Sequence, residues 1–396
     1  MKTKIKIDIS TVYIVVWCFY VLQEFFRIRG FLSQSLLTAN LGISIYYTFY
    51  AIRKYNIGPF LKALTILVGM FTAYGVLLIL SGEKFTMVSD YRTIDSFTYL
   101  KNIYISLLPV FPFYVFSRKG LLTEKHIRRW LWVFLIVATL SFQYDYKDSL
   151  RKAILTGSNR DEFTNNAGYL FLSLLPFVVF FKGKPILQYG LIGYCLLFLF
   201  SGMKRGAIFI AFVIIILMIL QITKSYKGDK KIDSILLSLI LLFAGVIIVH
   251  HLIITSDYFN ERLSDTLNGD SSNRDVLYLT FYNHFVHDTS FLQFFIGSGA
   301  LATLEIAGQY AHNDWLEIAI NQGVLGVVAY GLYWISANKE WRVSDKSQNY
   351  SQAMGLVFLA FFLKSWFSMS YGDMPFFTTL LIGYSLAQNH IQQRRK

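Results

Sequence analysis

Apolar runs long enough to cross a lipid bilayer recur from one end of this chain to the other, and they decide its fold class before any motif is read. Crossing a hydrocarbon core of ~30 Å takes roughly 20 helical residues. Segments of that order run from Ser10 to Arg27, Ser33 to Ile52, Pro59 to Leu80, Ser96 to Phe116, Arg129 to Tyr144 and Ala167 to Phe181. The second half continues with Pro185 to Phe200, Gly206 to Ile222, Asp233 to Ile254, Trp315 to Ser336, Gln352 to Met369 and Pro375 to Gln388. Hydrophobic residues make up 55% and charged residues 15%, which leaves too little polar surface for a water-soluble globule. Backbone groups in lipid must be satisfied within the segment, so the spans are helices. A barrel would alternate in short strands, and Ile208 to Ile222 does not. The expectation is an all-α polytopic membrane protein of about twelve transmembrane helices, with residues 1–396 forming a single integral membrane domain.

The net charge of +13 invites a nucleic-acid reading, but the basic residues sit in short loops beside apolar spans. Topology accounts for them better. With the N-terminus inside, the cytoplasmic loops carry Lys2, Lys4, Lys6, Arg53, Lys54, Lys62, the Arg118 to Arg129 cluster, Lys182, Lys184, Lys224 to Lys231, Lys339 to Lys346 and Arg394 to Lys396. Both termini are then cytoplasmic. The first apolar run lacks a small-residue cleavage site and reads as the first span rather than a cleaved signal. Cys18 and Cys195 lie in apolar segments, which excludes a disulfide framework and a cysteine metal site.

Against that bias, Lys147, Arg151, Lys152, Arg160, Lys204, Arg205, Arg262 and Arg274 fall on the outer side. Any one of them could pair with a nearby carboxylate; as a group they point to an anionic ligand. The outer polar residues concentrate in Asp145 to Asn166, in the tight Ser201 to Arg205 turn, and in a long extracytoplasmic loop over residues 255–314, too long for a simple connector. Within that loop Leu277, Phe281 and Phe285 recur at i, i+4 and i+8, the pattern of an amphipathic helix lying on the membrane surface, with Ser272 as its cap.

Four features could carry chemistry. Arg205 opens a span directly after a turn, and Arg274 opens the amphipathic helix; guanidinium and helix N-terminus both favour phosphate oxygens, although Lys204 and Arg205 would equally suit lipid headgroups. Lys204 and Arg160 are further candidates for the same anion. His312 precedes a helix whose first turn holds Asp314 and Glu317, and an imidazole suits the removal of a proton from a hydroxyl, with Glu317 as the alternative base. Asn313, Asn165 and Asn166 are suited to a sugar and equally to capping. The glycines of Gly297-Ser298-Gly299 let the loop turn tightly onto the membrane; no βαβ unit surrounds them, so a dinucleotide site is rejected. No His/Glu pattern has metal-ligand spacing, and no metal or other cofactor is expected. Of the ions within spans, Glu24 pairs with Arg27, and Lys364 is the best candidate for a buried functional charge.

The Ser201-x-x-x-Arg205 turn, the long outer loop with Arg274 before an aromatic helix, Gly297-x-Gly299, and the H-N-x-x-L-E-x-x-x-x-x-G-x-x-G run from His312 to Gly326 together resemble the O-antigen polymerase and O-antigen ligase superfamily of bacterial envelopes. The resemblance covers roughly Ser158 to Gly326. It implies a metal-independent, inverting glycosyltransferase of the bacterial inner membrane that polymerises polyprenyl-diphosphate-linked oligosaccharide repeats of an O antigen or capsule at the outer leaflet. Arg205 and Arg274 would bind the diphosphate and His312 would act on the acceptor side. Met203-Lys204 departs from relatives that carry a small hydroxyl residue beside the Arg. The alternatives are a ligase moving the glycan to lipid A core and a flippase for the same lipid. Partners implied by such a pathway are the bilayer, a chain-length regulator and a flippase.

Overall fold

The computed structural model describes residues 8–26, 28, 30–87, 93–156, 165, 167–255, 264 and 274–395. Sixteen α-helices follow one another among them. The first ten are α1 (Ile9–Phe25), α2 (Phe31–Lys54), α3 (Pro59–Ser81), α4 (Ser96–Leu107), α5 (Val110–Arg118), α6 (Glu124–Thr156), α7 (Gly168–Leu174), α8 (Pro185–Ser201), α9 (Arg205–Ser225) and α10 (Asp229–Thr255). Then come α11 (Arg274–Asn283), α12 (Phe291–Ile296), α13 (Ala302–Ala307), α14 (Asp314–Arg342), α15 (Asn349–Phe367) and α16 (Phe376–Gln393). The only strands among the described residues are β1 (Phe85–Thr86) and β2 (Thr93–Ile94), an antiparallel pair between α3 and α4. The helical class expected from the apolar runs is therefore observed, with helix over each predicted segment.

Among the described residues, five helical stretches are both long and apolar enough to cross a membrane: Pro59–Ser81, Ser96–Arg118, Arg205–Ser225, Asp229–Thr255 and Asp314–Arg342. Two of the predicted spans are interrupted beside a proline. Ser96 to Phe116 is divided at Leu108-Pro109 into α4 and α5, and after α7 the chain tightens into a 3-10 helix over Leu175–Phe181, where Pro176 has no N–H to continue the α ladder. Helix starts follow capping chemistry. Asp8 accepts from the Thr11 N–H (2.9 Å) to open α1, and Asp95 accepts from Thr98 N–H (2.8 Å) to open α4.

Helix α16 is the centre of the packing, since every residue from Phe376 to Ala387 is buried. A helix apolar all round must be enclosed by others. It crosses α5 at Gly383, where a Cβ would stand 2.5 Å from the Val110 carbonyl oxygen and 2.8 Å from the Phe113 Cβ. Only glycine permits that approach, the close packing that helices use when burial from water does not drive them together. On α3, the Phe60 ring packs 5.0 Å from both Tyr333 of α14 and Phe358 of α15. At this end Glu340, 2% exposed, is held by His390 (Nε2 3.2 Å from both carboxylate oxygens) and by the Asn389 amide (3.2 Å), and the Tyr114 hydroxyl lies 3.0 Å from His390 Nδ1.

Helix α14 is broken. Gly323 adopts φ 66°, ψ −163°, a backbone region essentially confined to glycine. The break coincides with carbonyls of Ile320 and Asn321 that accept instead from the N–H groups of Ser298 (2.8 Å) and Gly299 (3.1 Å). The Gly297-Ser298-Gly299 segment thus patches a helix that stops midway, rather than merely turning on the bilayer, and it restores hydrogen bonds that lipid cannot supply. Gly297 shares the unusual geometry (φ 78°, ψ 176°), and a Cβ on it would lie 2.4 Å from the Asn321 backbone.

The amphipathic helix also departs from its expected setting. Leu277 and Phe281 are buried, with Phe285 alongside, but they pack on Ala302, Ala311 and Ile320 of the same chain. The stripe faces α13 and α14 instead of the bilayer surface, and it clamps the loop against the start of α14. Its proposed cap, Ser272, lies outside the described residues.

Gly297→Ala and Gly323→Ala are each expected to lower stability by about 1–3 kcal/mol from backbone strain alone, with the clash adding to it. Gly331→Ala, where a Cβ meets nothing within 4 Å, should leave the thermal unfolding midpoint of detergent-solubilised protein unchanged or higher. Equal midpoints for all three would contradict the patched break.

Candidate functional site

The polar run at the head of α14 divides its labour. Asn313 is extended (φ −151°, ψ 117°), and its side-chain oxygen accepts from the N–H groups of Trp315 (2.9 Å) and Leu316 (3.2 Å), while its amide donates to the Trp366 carbonyl (3.3 Å). It is a helix cap. Asp314 is fully buried and accepts from the Ser370 N–H (2.9 Å), the Ser370 hydroxyl and the Tyr330 hydroxyl (2.5 Å), which ties α14 to the turn between α15 and α16. Glu317, also fully buried, accepts from the Thr303 hydroxyl (2.6 Å), the Ala311 N–H (2.7 Å) and the Asn321 amide (2.9 Å), which ties the helix to α13 and to the approaching loop.

His312 stands just ahead of these anchors with φ 53°, a left-handed conformation that few non-glycine residues adopt. Such strain persists only where neighbours impose it, and here Asn313, Asp314 and Glu317 fix the chain on its C-terminal side. The imidazole is half-buried. Burial, followed by the positive charges of Arg274 and Lys204, holds its pKa below the ordinary 6.5. It is therefore neutral at pH 7 and can accept a proton.

The structure brings Arg274, Lys204 and His312 together from three separate parts of the chain. Arg274 begins α11 and donates from Nη1 to the Phe367 carbonyl at the end of α15 (2.9 Å), while the Tyr278 hydroxyl, one turn on, lies 3.5 Å from the His312 carbonyl. Lys204 precedes α9 in the Ser201 to Arg205 turn, which is held by the Asn165 N–H donating to the Gly202 carbonyl (2.9 Å). At Gly206 a Cβ would approach the Tyr169 hydroxyl to 3.0 Å, so α9 starts hard against α7. Arg205 is placed differently. It opens α9 as expected, but it lines a separate, largely apolar cavity between α8, α9 and α10, together with Met203 and His250.

Asn165 is buried, with its amide donating to the Phe142 carbonyl (3.0 Å) and its oxygen accepting from Ala167 N–H (2.8 Å), a local turn just ahead of α7. Arg160, Asn166 and Arg27 lie outside the described residues. Lys364 is 1% exposed, and its ammonium binds both the carbonyl (2.7 Å) and the carboxylate (3.1 Å) of Asp373, 4.8 Å above the Tyr169 ring. Sequence reasoning missed Tyr169, Tyr278 and Asp373. A tyrosine in a chain with 26 of them carries no signal until its neighbours are known.

A cavity of about 460 Å³ opens beside Glu317 and Asn321, between the end of α1, the start of α4, α7 and the Met369 to Phe376 turn. It touches the cationic group through Tyr169, which lines it and lies within electrostatic reach of Arg274. Comparison with protein-family models and with curated proteins gives no match for this chain.

The depressed pKa of His312 makes a signed prediction. The folded state binds the proton less readily than the unfolded chain, so the contribution to stability is full above about pH 6.5 and is lost as pH falls through the folded value. Thermal midpoints should fall more steeply on mild acidification for wild type than for His312→Gln. Parallel pH profiles would show that the imidazole is not held neutral.

Proposed function

We propose that this chain is a metal-independent, inverting glycosyltransferase that polymerises polyprenyl-diphosphate-linked oligosaccharide repeats, of an O antigen or capsule, at the outer leaflet of the bacterial inner membrane. In this reading the chain crosses the bilayer about twelve times with both termini in the cytoplasm. The observation that carries it is the meeting of Arg274 and Lys204 with a half-buried imidazole kept neutral. Outside the cytoplasm neither ATP nor a nucleotide sugar is at hand, so the bond energy has to arrive with the donor. A lipid diphosphate supplies both anion and leaving group.

In the proposed reaction an acceptor sugar hydroxyl attacks the anomeric carbon of the donor, forming a new glycosidic C–O bond as the C–O bond to the diphosphate breaks. The hydroxyl proton passes to His312, and Arg274 and Lys204 hold the negative charge gathering on the departing diphosphate. Arg205, at the head of α9 and the edge of an apolar cavity, suits the lipid side of the same diphosphate. Glu317, with both oxygens engaged, is better suited to positioning than to proton transfer. A ligase to lipid A core would use the same groups. A flippase is favoured by a different observation, the broken α14 with buried Asp314, Glu317 and Lys364 nearby, since broken helices and buried charges mark transport paths.

The test is purified protein in proteoliposomes given lipid-linked repeat. Growth of a glycan ladder is expected, reduced about a hundredfold or more by Arg274→Ala or His312→Ala at equal membrane expression. Movement of the lipid between leaflets without chain growth would favour transport, and full activity in both variants would remove the diphosphate and base roles.

A further inference from the structure

The cavity of about 460 Å³ is of ligand size and has the composition of a binding site, aromatic walls with a few convergent polar groups. Its wall includes the rings of Tyr99, Tyr169, Tyr310 and Tyr371, and Glu317 and Asn321 supply a polar edge. Polar atoms in its lining are out of place, the Tyr99 hydroxyl and the Trp17 indole nitrogen among them. Tyr99 is 6% exposed, and its hydroxyl is buried with no hydrogen-bond partner among the described residues. A buried phenol without a partner destabilises the ligand-free protein, and phenylalanine would fill the same space without that cost. The hydroxyl is explained if a ligand completes its bond.

Charge says which kind of ligand. The ionisable lining is Glu24, Glu317 and Asp373 against Lys101 alone. Three carboxyl groups and one ammonium are a poor receptacle for a diphosphate, which the cations on the other side of Tyr169 suit far better. A neutral ring with apolar C–H faces and a rim of hydroxyls fits both the tyrosine walls and the isolated polar groups. Asp373 is also fixed in place, because buried Lys364 grips its carbonyl and carboxylate. Tyr169 belongs to both surroundings, so a molecule anchored by its diphosphate at Arg274 can extend its sugars past this ring into the cavity.

We propose that the cavity between α1, α4, α7 and the head of α14 is a glycan subsite, with Tyr99 and the rim carboxylate of Glu24 bonding sugar hydroxyls. The identity of the glycan rests on the glycosyltransferase reading; the carbohydrate class rests on the cavity itself.

The test uses the full chain in lipid nanodiscs. The probe is the free oligosaccharide repeat, cut by mild acid from the lipid-linked unit of cells lacking this protein, and binding is measured by titration calorimetry. Tyr99→Phe should weaken binding roughly two- to tenfold, the scale of one neutral hydrogen bond, while the thermal midpoint of the ligand-free protein stays level or rises. Glu24→Gln, on the exposed rim, serves as the second variant with a similar expected loss. Bare polyprenyl diphosphate should not compete. Absence of binding to wild type, equal affinity in both variants, or competition by the bare lipid overturns the subsite. Oligosaccharide binding without chain growth supports the subsite and overturns the glycosyltransferase reading; chain growth with no binding change in the variants does the reverse. Free repeat that becomes elongated identifies acceptor sugars in the cavity, and free repeat that binds and only inhibits identifies donor sugars.

Discussion

The constraint on which the rest of this structure depends is the satisfaction of the α14 backbone where that helix breaks. A helix that crosses an apolar medium cannot leave carbonyls bare, because each would cost several kcal/mol in hydrocarbon. At Gly323 the α14 ladder is interrupted, and the N–H groups of Ser298 and Gly299 cap the carbonyls of Ile320 and Asn321. The repair fixes where the long loop lies. It brings Thr303 and Ala311 to Glu317, and Leu277 and Phe281 down onto Ile320. Arg274, at the head of the helix carrying those two apolar residues, is thereby delivered to His312.

The two acids of α14 act through the same logic of enclosed polarity. A buried carboxyl group that loses its hydrogen-bond partners costs about 1–3 kcal/mol, and more when charged, so Asp314 and Glu317 hold the Ser370 turn and the α13 loop in register with one another. Between them they fix the start of a helix from three directions: the α15–α16 turn, the long loop and the cap of Asn313. His312 is the first residue beyond that fixed frame, which is why it can be kept in a left-handed backbone conformation. Rigid support behind a strained residue is what the base role proposed for His312 would require, since small misplacements of a base are costly.

Much of this was legible from sequence, but unevenly. Helix positions followed from unbroken apolar runs, and the i, i+4, i+8 stripe of Leu277, Phe281 and Phe285 correctly marked one face as buried. What covers that face was not legible, because a stripe looks the same against a bilayer as against Ala302 and Ile320. The H-N-D-W-L-E run stood out as a cluster, yet pattern alone could not separate its cap and its two anchors from the imidazole; only their partners, up to 56 residues away at Ser370, do so. The cationic pair behaved likewise. Lys204 and Arg205 are adjacent in sequence, but it is the charge of Lys204 that bears on His312, while Arg205 lines another cavity. Lys204 is the extended residue before α9 (φ −86°, ψ 100°) and Arg205 is its first helical residue, so the change of backbone conformation between them turns the two side chains apart.

The electrostatics of the proposed site also explain how one imidazole can serve before and after a transfer. Burial first, and then Arg274 and Lys204, disfavour a positive charge on His312, so under the proposed reaction the imidazole would be unprotonated when an acceptor arrives. A lipid diphosphate, the donor proposed above, would bring negative charge to those same two cations and cancel much of their effect. If such a donor bound, the basicity of His312 would rise at the point where a proton has to be taken up. As that diphosphate left, the cations would act on the imidazolium again and favour release of the proton to solvent. The cations and the histidine form one coupled device in this scheme, in which the charge of the substrate sets the readiness of the base.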